Sequence, residues 1–333
     1  MRSFPAEWHP QSAILLAMPH AKSDWAPYLP QAQQTFRAII DAIVQHESCI
    51  VLVDDVASFP ELSTIPRVKL VEIETNDTWA RDFGPISVVD RGHLHLLDFG
   101  FNGWGLKFAA NHDNLLTRKL HQRGILEGIL ETRNLILEGG SIESNGAGVL
   151  LTNTQCLLEA NRNPQHSQEE IERILQEVLG IKQVLWLTHG YLAGDDTDSH
   201  IDTLARFVGE NKIVYLACED PMDEHYEALS LMQEELKQLK NLKGEPFELF
   251  ALPFTKAIYF EGERLPSSYA NFLFINGAVL VPIYNDPCDQ KALEVMRLAC
   301  PEHTIIPIDC SVLIRQHGSL HCVTMQIPAP QNA

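Results

Sequence analysis

The chain has 333 residues, of which 45% are hydrophobic and 21% charged, an ordinary globular composition that can fill the core of one large α/β domain over residues 1–333. No run approaches about 18 consecutive apolar residues, so no membrane span is expected. The first twenty residues lack the basic start and apolar run of a signal peptide, which makes the cytoplasm the expected location. A formal charge of −19 disfavours nucleic acid and anionic membrane surfaces and suits a cationic small molecule, although a plain acidic surface explains it better.

Seven cysteines are scattered through the chain with no CxxC pair, and a chain of this size needs no stapling. Reduced thiols are the expectation, most of them buried bystanders.

Taken in order, residues 31–46 have helical spacing, followed by short strands at Cys49–Val53, Val68–Ile73, Ile86–Val89 and Leu94–Asp98. The clearest helix is Gln168–Leu179, with Ser167 as N-cap, Glu170 completing a capping box and Gly180 as its stop. Strands are predicted at Val184–Leu187, Ile213–Ala217 and Glu248–Ala251, with a helix over Met222–Leu239. Ala270–Ile275 and Ala278–Val281 form a hairpin around Asn276-Gly277. A helix over Pro287–Ala299 and a strand over Leu320–Gln326 complete the reading. Groups of short strands, each relieved by one helix, do not match a doubly wound parallel sheet. Neither GxGxxG nor GxxxxGK[ST] occurs.

Five polar segments interrupt this pattern, at 76–85, 137–143, 194–202, 267–272 and 317–322. One residue from each, Asp82, Glu138, His200, Asn271 and Cys322, gives gaps of 56, 62, 71 and 51. A period near 60 points to a fivefold internal repeat, each module delivering a polar strand end to a shared axis.

The chemistry-bearing residues lie in these segments. Asp82 either pairs with neighbouring Arg81 or receives a ligand cation, with Trp79 as an apolar or cation–π wall. Glu138 stands beside two glycines that permit close backbone approach. His200 and Asp202 are two apart, so on a strand they share a face, where an imidazole beside a carboxylate serves acid–base work, metal binding or cation pairing. Cys322 follows a Gly-Ser break. As a thiolate it would need a histidine or positive field nearby.

Together, WxRDxGP, EGGSIE, DDTDxHID and HCxTxQIP resemble the agmatine deiminases and the related bacterial peptidylarginine deiminases. Pro5-Ala6-Glu7-Trp8 and Met18-Pro19-His20 fit the same pattern, and the resemblance runs from Pro5 to Pro328. It implies a pentein fold, a five-bladed α/β propeller of ββαβ modules. It also implies Cys322 as nucleophile and His200 as general acid/base, with Asp82 and Asp202 holding a guanidinium. Glu138 would orient His200 or touch the substrate nitrogens. Asn271 would touch substrate or bridge two blades. The implied reaction converts agmatine to N-carbamoylputrescine, a step toward putrescine, with no metal and no cofactor. The implied partner is a small cationic guanidino compound, and a homo-oligomer is possible. Two departures stand out: His317-Gly318-Ser319-Leu320 replaces a glycine-rich run, and Ser199 stands where a glycine is usual. Asp195, Asp196 and Asp198 are the candidates for holding a distal amine. A peptidylarginine or free-arginine deiminase is the alternative.

Overall fold

The computed structural model describes residues 2–330. Five sheets repeat one pattern. In each, two antiparallel strands are followed by a helix, and the strand after the helix adds in parallel to the second. Parallel neighbours cannot be joined by a tight turn, and in each blade a helix supplies this crossover.

The second blade comprises Ile86–Asp90, His93–Gly100, helix Leu116–Gln122 and Ile129–Ile136. The third comprises Glu143–Ser144, Val149–Asn153, helix Gln168–Leu179 and Gln183–Leu187. The fourth comprises Ala205–Gly209, Lys212–Ala217, helix Tyr226–Gln238 and Glu248–Pro253. A small hairpin, Tyr259–Phe260 with Glu263–Arg264, precedes the fifth. That blade comprises Leu273–Ile275, Ala278–Ile283, helix Asp289–Ala299 and Thr304–Asp309.

The first blade joins the two ends of the chain. Strand Thr324–Pro328 pairs antiparallel with Gln11–Ala17. Gln11–Ala17 runs parallel to Ser48–Val53 across helix Leu29–Ile43, and Val68–Glu72 adds a fourth strand. This is the expected five-bladed α/β propeller of the pentein type.

A tight turn precedes the first strand of every blade, and the five turns are tied in a ring, one link of which runs through the strand end Thr152-Asn153, where Thr152 Oγ1 donates to the Ser141 carbonyl (2.7 Å). The Arg81 N–H donates to the Cys322 carbonyl (3.1 Å) and the Gly140 N–H to Asp82 Oδ1 (3.0 Å). Asn153 Nδ2 donates to the Ser199 carbonyl, and Asn271 Nδ2 to the Asp202 carbonyl (3.3 Å). The His321 N–H returns to the Asn271 carbonyl (3.1 Å) and closes the cycle.

The capping box at Ser167 and Glu170 forms as predicted, and Gly180 ends that helix at φ 72°. The other predicted helices shift by a few residues at their ends, to Leu29–Ile43, Tyr226–Gln238 and Asp289–Ala299. The last strand begins at Thr324, because residues 320–323 form the turn that holds Cys322. Ile129–Ile136 and Thr304–Asp309 were not expected as strands. Both are sheet edges: one carries charged, partly exposed residues, and the other contains Pro307, which an edge strand tolerates.

Candidate active site

Asp82 lies on a single helical turn, Ala80–Phe83, stopped by Gly84-Pro85. It does not pair with Arg81. That guanidinium turns away to Gln326 Oε1 (2.6 Å) and Glu7 (3.6 Å). Asp82 is fixed instead by Gly140 N–H on Oδ1 and by Trp104 Nε1 on Oδ2 (2.9 Å). His200 and Asp202 are not on a strand. They belong to the 3-10 turn Ile201–Thr203, with His200 at its N-cap. The turn still brings both to the centre: His200 Nδ1 is 3.6 Å from Asp82 Oδ1. A Cβ on Gly140 would come within 2.6 Å of His200 Nδ1, 2.9 Å of Asp82 Oδ1 and 3.1 Å of Asp202 Oδ2. Gly140 is therefore the hub around which the three side chains pack.

Cys322 Sγ lies 3.8 Å from Asp202 Oδ2 and 3.4 Å from Asn271 Oδ1. Cys322 also lines a cavity of about 390 Å³ with Trp79, Asp82, Trp104 and Phe108. Asp24, Asp77, Asp196, Thr197, Gln316, His317 and Gly318 complete the lining, so four aspartates and no lysine or arginine face this space. Trp79 is packed against Trp25, and a Cβ on Gly318 would strike its ring at 2.2 Å.

Burial sets the electrostatics. The Cys322 thiol is pushed well above its usual range by burial and by the nearby Asp202 and Asp82 charges. Burial and Asp202 likewise push the Asp82 carboxyl well up. Burial lowers His200 to about 3 despite the neighbouring carboxylates, so its imidazole is neutral at neutral pH. Neither ring nitrogen of His200, nor Asp202 Oδ1, finds a hydrogen-bond partner among the described residues. Buried polar atoms left unpaired are costly. A planar cation bearing several N–H groups would supply donors for the carboxylates and lower the thiol pKa.

Against this geometry stand the comparisons. The model of the Porphyromonas-type peptidyl-arginine deiminase family matches residues 3–328. The chain belongs to this family. A crystal structure provisionally named a peptidyl-arginine deiminase is 52% identical, with TM-score 0.96 over 98% of this chain and 99% of that one. A cysteine-to-serine variant of C. jejuni agmatine deiminase with substrate bound is 42% identical, with TM-score 0.95 over 100% of this chain and 98% of that one. The agmatine deiminase of Ectopseudomonas mendocina is 33% identical over 99% of this chain and 96% of its own length.

In this family member the remaining expected residues have distinct placements. Glu138 follows strand Ile129–Ile136 and is fully buried, with Arg162 Nε donating to both its oxygens (2.9 and 3.1 Å). It makes no hydrogen bond to His200, although its carboxylate lies within 4.8 Å of that ring. Asn271 bridges two blades: Oδ1 accepts from the His321 N–H (2.9 Å) and the Cys322 N–H (3.3 Å) while Nδ2 reaches the Asp202 carbonyl before the fourth blade. Among the distal-amine candidates, Asp195 is spent on Thr197 and Ser199, and Asp198 on Arg162 and Lys107. Asp196 lines the cavity.

Sequence reasoning missed Trp104, Arg162, Lys107, Asp24 and Asp77. Only Asn102-Gly103-Trp104-Gly105 carried a signal, two glycines around an aromatic, and their backbone explains it. Gly103, Trp104, Gly105 and Leu106 all have positive φ, from 55° to 80°. They make one left-handed turn that delivers the Trp104 indole to Asp82. Two buried clusters, Glu138-Cys156-His200 and Glu7-Glu143-His321, have metal-like spacing. Arg162 already neutralises Glu138, and Arg206 neutralises both Glu7 and Glu143. The carboxylates of both clusters are thus already paired with guanidinium groups, which weakens each as a cation site.

Proposed function

We propose that the protein hydrolyses agmatine to N-carbamoylputrescine and ammonia, with Cys322 as nucleophile. The observation that carries this reading is the cavity, where the Cys322 thiol and the buried Asp82 carboxyl meet in a space lined by four aspartates and no lysine or arginine. Agmatine carries a guanidinium at one end and an ammonium at the other, and both suit such walls. Free arginine would bring an α-carboxylate against Asp24, Asp77 or Asp196 with no cation to receive it.

Asp82 and Asp202 hold the guanidinium N–H groups and fix its plane. Trp79 and Trp104 flank it as apolar walls. The bound cation favours the thiolate. The Cys322 proton passes to His200, and Sγ attacks the guanidinium carbon. His200 returns that proton to the departing nitrogen, and ammonia leaves as the C–N bond breaks. The sulfur now carries an S-alkylthiouronium with the substrate's original positive charge. Neutral His200 then takes a proton from water, whose oxygen adds to the same carbon. The C–S bond breaks, Cys322 regains a thiol, and one proton is released with the ureido product. Glu138, paired with Arg162, sets the charge behind His200. Asn271 holds the Cys322 backbone and Asp202 together.

The cysteine-to-serine change in the substrate-bound C. jejuni agmatine deiminase fits this assignment of the sulfur. Seven free cysteines suit a reducing cytoplasm, and among the described residues no helix is long and apolar enough to cross a membrane. Product analysis on agmatine, free arginine and a blocked arginyl peptide tests the reading. Agmatine should turn over at least about 100-fold faster than either alternative, since an unpaired buried carboxylate is worth that much discrimination. Faster turnover of arginine would overturn it.

A further inference from the structure

The mechanism above leaves unused a buried side chain next to the nucleophile. His321 is 1% exposed and both its ring nitrogens meet carboxylates. Nδ1 lies 2.7 Å from Asp202 Oδ2 and Nε2 lies 2.6 Å from Glu7 Oε2. The ring donates to both when each nitrogen carries a hydrogen. Glu7 is anchored in turn by Arg206 Nη2 (2.8 Å) and by the Phe274 N–H on Oε1 (2.8 Å), with Arg81 at 3.6 Å. Arg206 also pairs with Glu143 and lies over the Phe272 ring.

We propose that Glu7 and His321 form a positioning chain that anchors Asp202 beside Cys322 as a charged, correctly turned receptor for the guanidinium. The proposal rests on the agmatine reading. The geometry argues it from both ends. His321 takes Oδ2, the oxygen 3.8 Å from Cys322 Sγ, while Oδ1 has no hydrogen-bond partner among the described residues. The carboxylate therefore cannot rotate to satisfy itself without losing the imidazole. At the far end Glu7 comes from the N-terminal segment, so the chain couples the first and fourth blades through the turn that holds the nucleophile.

The charges support this placement. Burial opposes a charged Asp202, yet His321, His200 and Arg206 together hold its carboxyl below the usual range. Burial opposes Glu7 as well, and Arg206, His321 and Arg81 bring it far below. The groups facing Asp202 are thus His321, His200, Arg206 and Arg81 on the favourable side, with Asp82 and Cys322 opposing. Those facing His321 are Asp202, Glu7 and Glu143. Without His321, burial and Asp82 act on Asp202 unopposed by its strongest hydrogen bond. Its carboxyl then ionises only at higher pH.

The test compares agmatine binding by calorimetry in Cys322→Ala with binding after adding His321→Ala, His321→Asn or Glu7→Gln. His321→Ala should weaken binding by about 100-fold at neutral pH, the cost of a misplaced substrate anchor, and recover part of it as pH rises. His321→Asn, whose amide can replace the Nδ1 donor, should retain more than His321→Ala. Glu7→Gln should weaken binding roughly tenfold. With Cys322 present, KM should rise more than kcat falls, and the acid limb should move upward by about one pH unit. Circular dichroism reports folding; if His321→Ala does not fold, His321→Asn and Glu7→Gln decide. Equal affinity and pH dependence in all folded variants would overturn the chain and leave the agmatine reading intact. If Cys322→Ala itself fails to bind agmatine at any pH, the functional reading falls and the chain's role falls with it.

Discussion

Gly140 is the position where the smallest change reaches the most chemistry. An added methyl must displace His200, Asp82 or Asp202, none of which is a free-ended surface chain. Gly140→Ala should therefore reduce kcat/KM roughly 100-fold while the thermal midpoint falls only modestly. Steady-state kinetics and a melting curve check both. His200 carries a second expectation. Its folded pKa, about 3, lies below the unfolded value near 6.5. The unfolded chain therefore binds more protons between these values, and stability from this site falls as pH drops from about 6.5 toward 3. His200→Asn should flatten that part of the melting temperature against pH. An unchanged slope would show that the ring is not held neutral. At this scale the carboxylates at 82 and 202 beside His200 allowed a ligand cation, and only the family resemblance made that cation a guanidinium. What Arg81 and His321 do was not legible, because their partners lie over 70 residues away in sequence, in Glu7 and Gln326 for the one and in Asp202 and Glu7 for the other.

The least ordinary element is the left-handed turn Gly103–Leu106. A non-glycine residue in this conformation costs on the order of 1–2 kcal/mol, and Leu106 accepts it with its side chain largely in solvent. The turn is tied by Asn102 Oδ1 to the Gly105 N–H (2.9 Å) and by Lys107 Nζ to the Asp196 carbonyl and Asp198 Oδ1, both 2.7 Å. Leu106→Gly should leave stability unchanged or raise it by about 1 kcal/mol, because relieved strain offsets the added chain entropy; chemical denaturation measures this. A loss would mean that the turn is not strained. Lys107→Met releases the wall that carries Trp104, and KM for agmatine should rise roughly tenfold. Strands and helices with clean patterns, such as Gln168–Leu179, were readable because local caps and periodicity decide them. The turns were less so. His200 and Asp202 were expected two apart on a strand, and a 3-10 turn instead brings them to Asp82.

Over the whole molecule, five turns from five blades meet in one hydrogen-bonded ring, so the site exists only when the propeller is closed by pairing Thr324–Pro328 with Gln11–Ala17. The fivefold spacing of polar segments was visible in sequence because each turn precedes the first strand of a blade. Two edge strands, Ile129–Ile136 and Thr304–Asp309, were missed for want of a clean alternation, and the buried interior strands Gln11–Ala17 and Val149–Asn153 were missed too, because a short apolar run has no period to read. The acidic chain, with four aspartates in the cavity, should draw in a dication, so kcat/KM for agmatine should fall several-fold as salt rises from low to physiological ionic strength. A salt-independent rate would remove electrostatic steering from the account. The central claim is covalent chemistry at one sulfur of seven. Mass spectrometry of the protein quenched in acid during agmatine turnover should find Cys322 heavier by agmatine less one ammonia. Product formation with Cys322 unmodified, or with the adduct on another cysteine, would contradict it.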